Sequence, residues 1–205
     1  MNSLFSRRFV AATLLASSTL LTGCAPLVIG GVAVGSMMVF SDRRTSGTQL
    51  EDQSIELKAS NRARDIVGDR GHVSATSYNR VVLLTGEVPS EAERAAVEKS
   101  IAQVENVKST VNELAVMGPT SMTARSNDSV LSSKVKATFV DAKDLQSNAF
   151  KVVTERGTVY LMGRVTEREG ERATELARSV AGVQRVVRVF ELLTEAELAN
   201  LGQKK

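Results

Sequence analysis

One cysteine and one histidine stand among 205 residues, and they bound the chemistry available to the chain. Cys24 has no partner for an intramolecular disulfide, and one Cys with one His cannot build a Cys/His zinc site. A lone thiol can still be a point of covalent modification. Cys24 closes the run Leu21-Thr22-Gly23-Cys24. His72 stands alone beside a predicted strand, and no GxSxG, HExxH or Walker sequence occurs. Glu91, Glu93, Glu98, Glu167, Glu169, Glu171 and Glu175 alternate with Lys and Arg and read as solvated helix faces, not as paired acids. Gly86 and Gly163 each lie near a strand end, where glycine supplies positive φ or room for the second helix to pack tightly. A phosphate cradle would need several glycines opening a helix. The expectation is a non-enzymatic chain with no catalytic residue, no metal and no dissociable cofactor.

Residues 1–23 read as an export signal. Arg7-Arg8 form its basic start and Phe9 to Leu21 its apolar core, too short for a membrane span of roughly 20 residues. Leu21 to Cys24 resembles the bacterial lipobox, and that resemblance implies a lipid on the Cys24 thiol and a second acylation at the new N-terminus. One acyl chain anchors marginally, whereas two or three hold a protein on a membrane. A plain secretory signal followed by a buried cysteine is the alternative. Ala25 follows the cysteine where Asp, by resemblance to known sorting signals, implies inner-membrane retention. An outer-membrane, periplasm-facing location is therefore expected. Residues 24–50 form the lipidated cysteine and tether. Leu27 to Phe40 is apolar, but as a helix it spans about 21 Å, short of the hydrocarbon core of about 30 Å. It is expected to lie at the bilayer surface or on a partner, with Ser41 to Gln49 polar and flexible.

The rest of the chain holds an internal repeat. Val81-Val-Leu-Leu-Thr-Gly-Glu-Val88 returns 77 positions later as Thr158-Val-Tyr-Leu-Met-Gly-Arg-Val165. A period this long, seen twice, means tandem domains and not a solenoid. Each copy reads as helix, hairpin, helix, strand. Ile55, Ala59, Ala63 and Ile66, and in the second copy Leu131, Val135, Phe139 and Ala142, recur at helical spacing. Hairpins turn at Asn79-Arg80 and Arg156-Gly157, and Ser90-x-x-Glu93 and Thr166-x-x-Glu169 are capping boxes opening the second helices. Val97, Ile101 and Val104, and then Ala173, Leu176, Ala177 and Val180, form their buried faces. Final strands follow at Val107 to Val116 and Val183 to Leu192. The strand–helix–strand crossover makes each last strand parallel to the one before it. The expected fold class is α+β: two αββαβ units, each a three-stranded mixed sheet with two helices on one face.

This order, with V-x-L-x-G before the second helix and a Val107, Val111, Asn112 pattern at the last strand, resembles the BON domain (bacterial OsmY and nodulation). Gly86 and Gly163 match the family's glycine; Arg188 stands where asparagine is usual. The division expected is residues 51–117 for the first BON domain, 118–125 for the linker, 126–193 for the second and 194–205 for a tail. Lipobox, tether and two copies together look like the dual-BON outer-membrane lipoproteins, a likeness strengthened by Ser126 to Ser129 and Tyr160 to Glu169. The resemblance implies binding of the anionic phospholipids phosphatidylglycerol and cardiolipin through the second domain, and association with division and outer-membrane stress.

Charge separates the copies. The whole chain carries +3, with 42% apolar and 24% charged residues, as a folded protein does. Without Arg7 and Arg8 little net charge remains, and aromatics are 4%, so no nucleic-acid partner is expected. Residues 50–117 hold 8 Lys and Arg against 11 Asp and Glu; residues 126–193 hold 11 against 9. The first helix of the second copy is apolar on two sides. Opposite its core face, Val130, Ser133, Lys134, Ala137 and Val140 share an arc near Lys136 and Lys143. Copy one carries Glu56, Lys58, Arg62 and Asp65 there and no such stripe is expected. Val130, Leu131, Lys134, Ala137 and Val140 are the candidate lipid-binding residues. Packing of the valines on copy one or the linker is the competing reading, and a protein adaptor for outer-membrane assembly, division or amidase regulation the competing function.

Overall fold

The computed structural model describes residues 42–201. The export signal, Cys24 and the apolar stretch to Phe40 lie outside them. Two αββαβ modules follow one another. The first has α1 (Ser46–Val67), β1 (His72–Tyr78), β2 (Val81–Val88), α2 (Glu91–Ala102), β3 (Ser109–Asn112) and β4 (Ala115–Val116). The second has α3 (Met122–Asp141), β5 (Phe150–Glu155), β6 (Thr158–Val165), α4 (Glu167–Ser179) and β7 (Arg185–Leu192), after which α5 (Glu195–Leu201) closes the described chain. Each hairpin is antiparallel and each last strand pairs parallel to the strand before the helix.

The hairpin turns have a specific cause. Asn79 and Arg80 both sit at positive φ (50° and 67°), as do Arg156 and Gly157 (49° and 69°), the conformation that matches strand twist in a two-residue turn. Three of the four are not glycine and are strained there. An aspartate from the first helix of each copy offsets that strain. Asp52 accepts the N–H groups of Asn79 and Arg80, both at 2.8 Å, and Asp128 accepts those of Arg156 and Gly157 at 2.8 and 2.9 Å. At Gly86 (φ 111°) an added Cβ would lie 2.0 Å from the His72 carbonyl oxygen; at Gly163 it would lie 2.6 Å from that of Ala149. Both glycines allow close approach of backbone to backbone, but the neighbour is the chain at the start of the hairpin and not the second helix, and of the two only Gly86 has positive φ.

β2 and β6 are buried on both faces, which is why they read as apolar runs. Val82, Leu84 and Val88 meet Ile55, Ala59, Val97 and Ile101 under α1 and α2; Val159, Leu161 and Val165 meet Val135, Phe139, Ala173 and Ala177 under α3 and α4. The alternate residues form a third cluster, Tyr78, Leu83, Tyr160 and Met162, flanked by Val111, Val153, Val187 and Val189 from both sheets. The two sheets therefore pack face to face and the helices form the outer layers.

Several expectations need correction. The first sheet has four strand segments, because Glu113 and Leu114 interrupt its edge without changing register. Asn112 causes the break: its side-chain oxygen accepts the Leu114 N–H at 3.1 Å. Arg188, its counterpart in β7, cannot do this, and β7 runs unbroken. The Ser41 to Gln49 segment is fixed from Asp42 onward, with α1 capped by Thr45. Residues 122–125, within the expected linker, already belong to α3, capped by Ser121. In α1, Val67 completes the core face and Ile66 is only partly buried. The capping box is complete at Thr166, whereas at Ser90 the Glu93 carboxylate turns to the Ser90 hydroxyl and Arg70. Past residue 193, Thr194 and Glu197 make a further reciprocal cap that starts α5.

Candidate lipid interface and the seam between modules

α3 buries Val135 and Phe139 and stacks Phe139 edge-on against Phe150 at 5.4 Å. On the opposite side, Val130 is 54% and Val140 69% exposed, with Lys134 and Ala137 exposed between them. Leu131 departs from the group it was placed in. It is 8% exposed and leans over Gly182, so it supports the helix from below and is not on the outer arc. Ser129 and Ser133 donate their hydroxyls to carbonyls one turn back, each at 3.0 Å, which lowers the polarity of the exposed side. Lys134, Lys136 and Lys143 make no ion pair among the described residues, while nearby Asp144 is engaged by Arg172 at 2.8 Å. The result is a strip of small apolar side chains fringed by free ammonium groups.

Copy one is not bare on its outer face. Leu50 and Leu57, two helical turns apart on α1, are 68% and 66% exposed. The spacing of seven is legible in the sequence, where Glu56 and Lys58 flank Leu57. Glu56 is tied to Lys151 of copy two and to the Ser77 N–H, and Arg62 to the Ser100 carbonyl.

Sequence reasoning missed the electrostatic seam between the copies. Glu87 is fully buried; it accepts from Arg156 at 2.7 Å and from the Thr120 N–H and hydroxyl at 3.1 and 3.2 Å. At the other end Glu191 accepts from Arg164 and Asn79. Glu87 and Asn79 of copy one occupy the repeat positions of Arg164 and Arg156, so the two ends are related by pseudo-twofold exchange. A glutamate inside an apolar strand was the available signal. Next to this pair, burial first, and then the negative charge of Glu87, push the Glu155 carboxyl above the usual range. Asp42 to Arg44 close the seam from outside. Arg43 forks onto Glu169 of α4 at 2.8 and 2.6 Å, and Arg44 binds Asp42 and Asp52, both at 2.7 Å, with its guanidinium 4.1 Å from the Tyr78 ring centre. Burial pushes the Tyr78 phenol up to about 12. It also raises the cost of ionising Asp52, but hydrogen bonds from Ser77, Arg80, Arg44 and Asn79 outweigh that, so its carboxyl lies below the usual range.

His72 is half-buried, and desolvation followed by the charge of Arg125 holds it below the ordinary imidazole range. No group of His, Cys, Asp and Glu among the described residues is arranged to hold a metal. No helix among them is long and apolar enough to cross a membrane.

The BON domain family matches residues 56–118 and again 127–194. The outer membrane lipoprotein DolP of Haemophilus influenzae is 38% identical over 185 residues, covering 89% of this chain and 95% of the relative. The 21 kDa hemolysin of Actinobacillus pleuropneumoniae is 29% identical, covering 73% and 78%. The osmotically-inducible protein Y of Escherichia coli is 28% identical, covering 72% and 76%. The chain belongs to the BON-domain family, as a dual-BON outer-membrane lipoprotein of the DolP kind. These likenesses indicate no catalytic family.

Proposed function

We propose that the protein is a non-enzymatic, periplasm-facing module, held on the outer membrane by acyl chains on Cys24, that binds anionic phospholipids through α3. Phosphatidylglycerol and cardiolipin are the headgroups this reading names, and support of outer-membrane integrity, including at the division site, is the role it serves. The observation that carries it is the exposed Val130–Val140 arc beside Lys134, Lys136 and Lys143. Valine side chains enter the acyl boundary while each ammonium near an anionic surface contributes about 1 kcal/mol.

Vesicle flotation of the non-acylated two-module body tests this. A fragment holding only the second module is unsuitable, because separation would expose Tyr160 and Met162. Recovery is expected with phosphatidylglycerol or cardiolipin vesicles and not with neutral ones, and Val130→Glu should abolish it. Equal recovery on both vesicle types rejects the reading. The adaptor reading, in which the protein serves an assembly or amidase-regulating machine of the envelope, draws on the exposed Leu50 and Leu57 of copy one. A crosslinked protein partner that survives lipid removal would favour it.

A further inference from the structure

β7 lies at the end of the second sheet and pairs on one side only, with β6. In a parallel ladder the N–H and C=O of one residue point the same way, and successive residues point to opposite sides. Leu193, just past the strand, donates its N–H to the Val165 carbonyl. That fixes the parity: Val187, Val189 and Glu191 turn toward β6, and the backbone groups of Val186, Arg188, Phe190 and Leu192 point away from the sheet. Unpaired edges are templates for another strand, and proteins usually blunt them. The first copy does so. β3 has four residues and is stopped by Asn112, and on β1 the Ser77 N–H is taken by the Glu56 side chain. β7 runs eight residues with no proline and no break in register.

A groove of about 460 Å³ adjoins this edge. Tyr78, Val111, Val187, Val189 and Phe190 give it apolar walls, and Lys108 and Arg188 line its rim. The available charge there is positive. Arg185 is engaged by Glu113 and Glu191 by Arg164, whereas Lys108 has no ion pair among the described residues and Arg188 reaches only Glu167, at 3.5 Å. A second copy is a poor occupant. An antiparallel pairing of two β7 strands along their full length brings the two Arg188 guanidiniums together near the axis, and like charges on facing strands are destabilising.

We propose that β7 is a strand-addition site for an extended segment of another protein. That segment hydrogen-bonds along Val186 to Leu192, sets apolar side chains in the groove and presents acidic ones to Arg188 and Lys108. Main-chain bonds supply affinity in this mode and alternate side chains supply specificity.

The probe is a fluorescent decapeptide alternating valine with aspartate and glutamate, titrated into the full chain in detergent. Two controls accompany it, one with lysine in place of the acids and one N-methylated at alternate amides. The acidic peptide should bind at least tenfold more tightly than the lysine peptide, and N-methylation should abolish binding. Hydrogen exchange should slow at the amides of Val186, Arg188, Phe190 and Leu192. Arg188→Glu should reverse the charge preference. Arg188→Pro removes an outward N–H without touching the ladder to β6, so it should weaken binding about tenfold with the melting temperature held. Equal binding of the N-methylated peptide, protection on another element, or no binding at millimolar peptide overturns the proposal. Dimerisation of the chain through β7 does so too, since the occupant would then be a second copy.

Discussion

Arg156→Met tests whether the seam between modules depends on charge pairing. The substitution keeps most of the side-chain volume and removes the guanidinium, leaving Glu87, which is fully buried, with only the two bonds from Thr120. Breaking a buried pair by removing one partner costs about 3–5 kcal/mol, because a desolvated charge is left uncompensated. Arg156 also bonds the Gly86 carbonyl at 3.0 Å, which is lost as well. Its side chain is partly exposed, and water entering the vacated space repays some of the loss, so the lower end applies, about 3 kcal/mol. For a body of this size, that corresponds to a fall in melting temperature of about 6–12 °C. The double-mutant cycle gives the sharper reading. Glu87→Gln alone leaves Arg156 facing a neutral amide, and Glu87→Gln in the Arg156→Met background removes the orphaned charge. The double variant should therefore be more stable than Arg156→Met alone, with a coupling of about 2 kcal/mol, well above the 0.3–0.5 kcal/mol expected of independent sites and within the roughly 0.5–3 kcal/mol range for contacting residues. Calorimetry and circular dichroism on the two-module body supply both numbers. Additive effects, or a loss below about 1 kcal/mol in the single variant, would refute the claim that this pair holds the copies together.

The remaining predictions concern single positions. Gly86→Ala should destabilise copy one by about 3 kcal/mol or more, since positive-φ strain and a backbone clash act together; chemical denaturation reads this, and a neutral result would mean the hairpin shifts freely. Glu155→Gln should stabilise the body at neutral pH and lose that advantage in acid. The folded carboxyl lies above the usual range, so the wild type gains stability as pH falls through the folded value down to the unfolded one. Asp52→Asn should act in the opposite sense. Its folded carboxyl lies below the usual range, so its contribution is present above the unfolded value and disappears as pH falls through the folded one. Melting curves across pH 3 to 7 separate the two.

Both modules were legible because their signals are local. Capping boxes, hairpin turns and the 77-residue echo are each written in a few adjacent residues. What escaped the sequence depends on contacts distant along the chain. Tyr160 and Met162 read as part of a buried strand, yet nothing local says that their side is covered by another sheet. Nothing local marks Asp52 and Asp128 as acceptors for hairpin turns that lie 27 to 29 residues further along the chain. Asp42, Arg43 and Arg44 look like a polar tether, and only the folded seam supplies Glu169, Asp52 and Tyr78 to hold them. The α3 arc was visible by periodicity, but the inward turn of Leu131 required knowing where Gly182 leaves space.

Packing the sheets back to back consumes the inner face of both copies and decides what remains for partners. The outer layers are helical, and because the sheets face each other, α1 and α3 look in opposite directions. One body therefore cannot lay the Val130–Val140 strip and the Leu50–Leu57 pair on the same flat surface. If α3 meets lipid, α1 faces away from it, and the edge at β7 lies along the side between them. The copies also differ in how their edges end: Asn112 stops the strand in one, whereas Arg188 lets it run in the other. The exposed valine strip and the uninterrupted sheet edge both belong to the second copy, so the two proposed contacts would draw on one module while the first backs it.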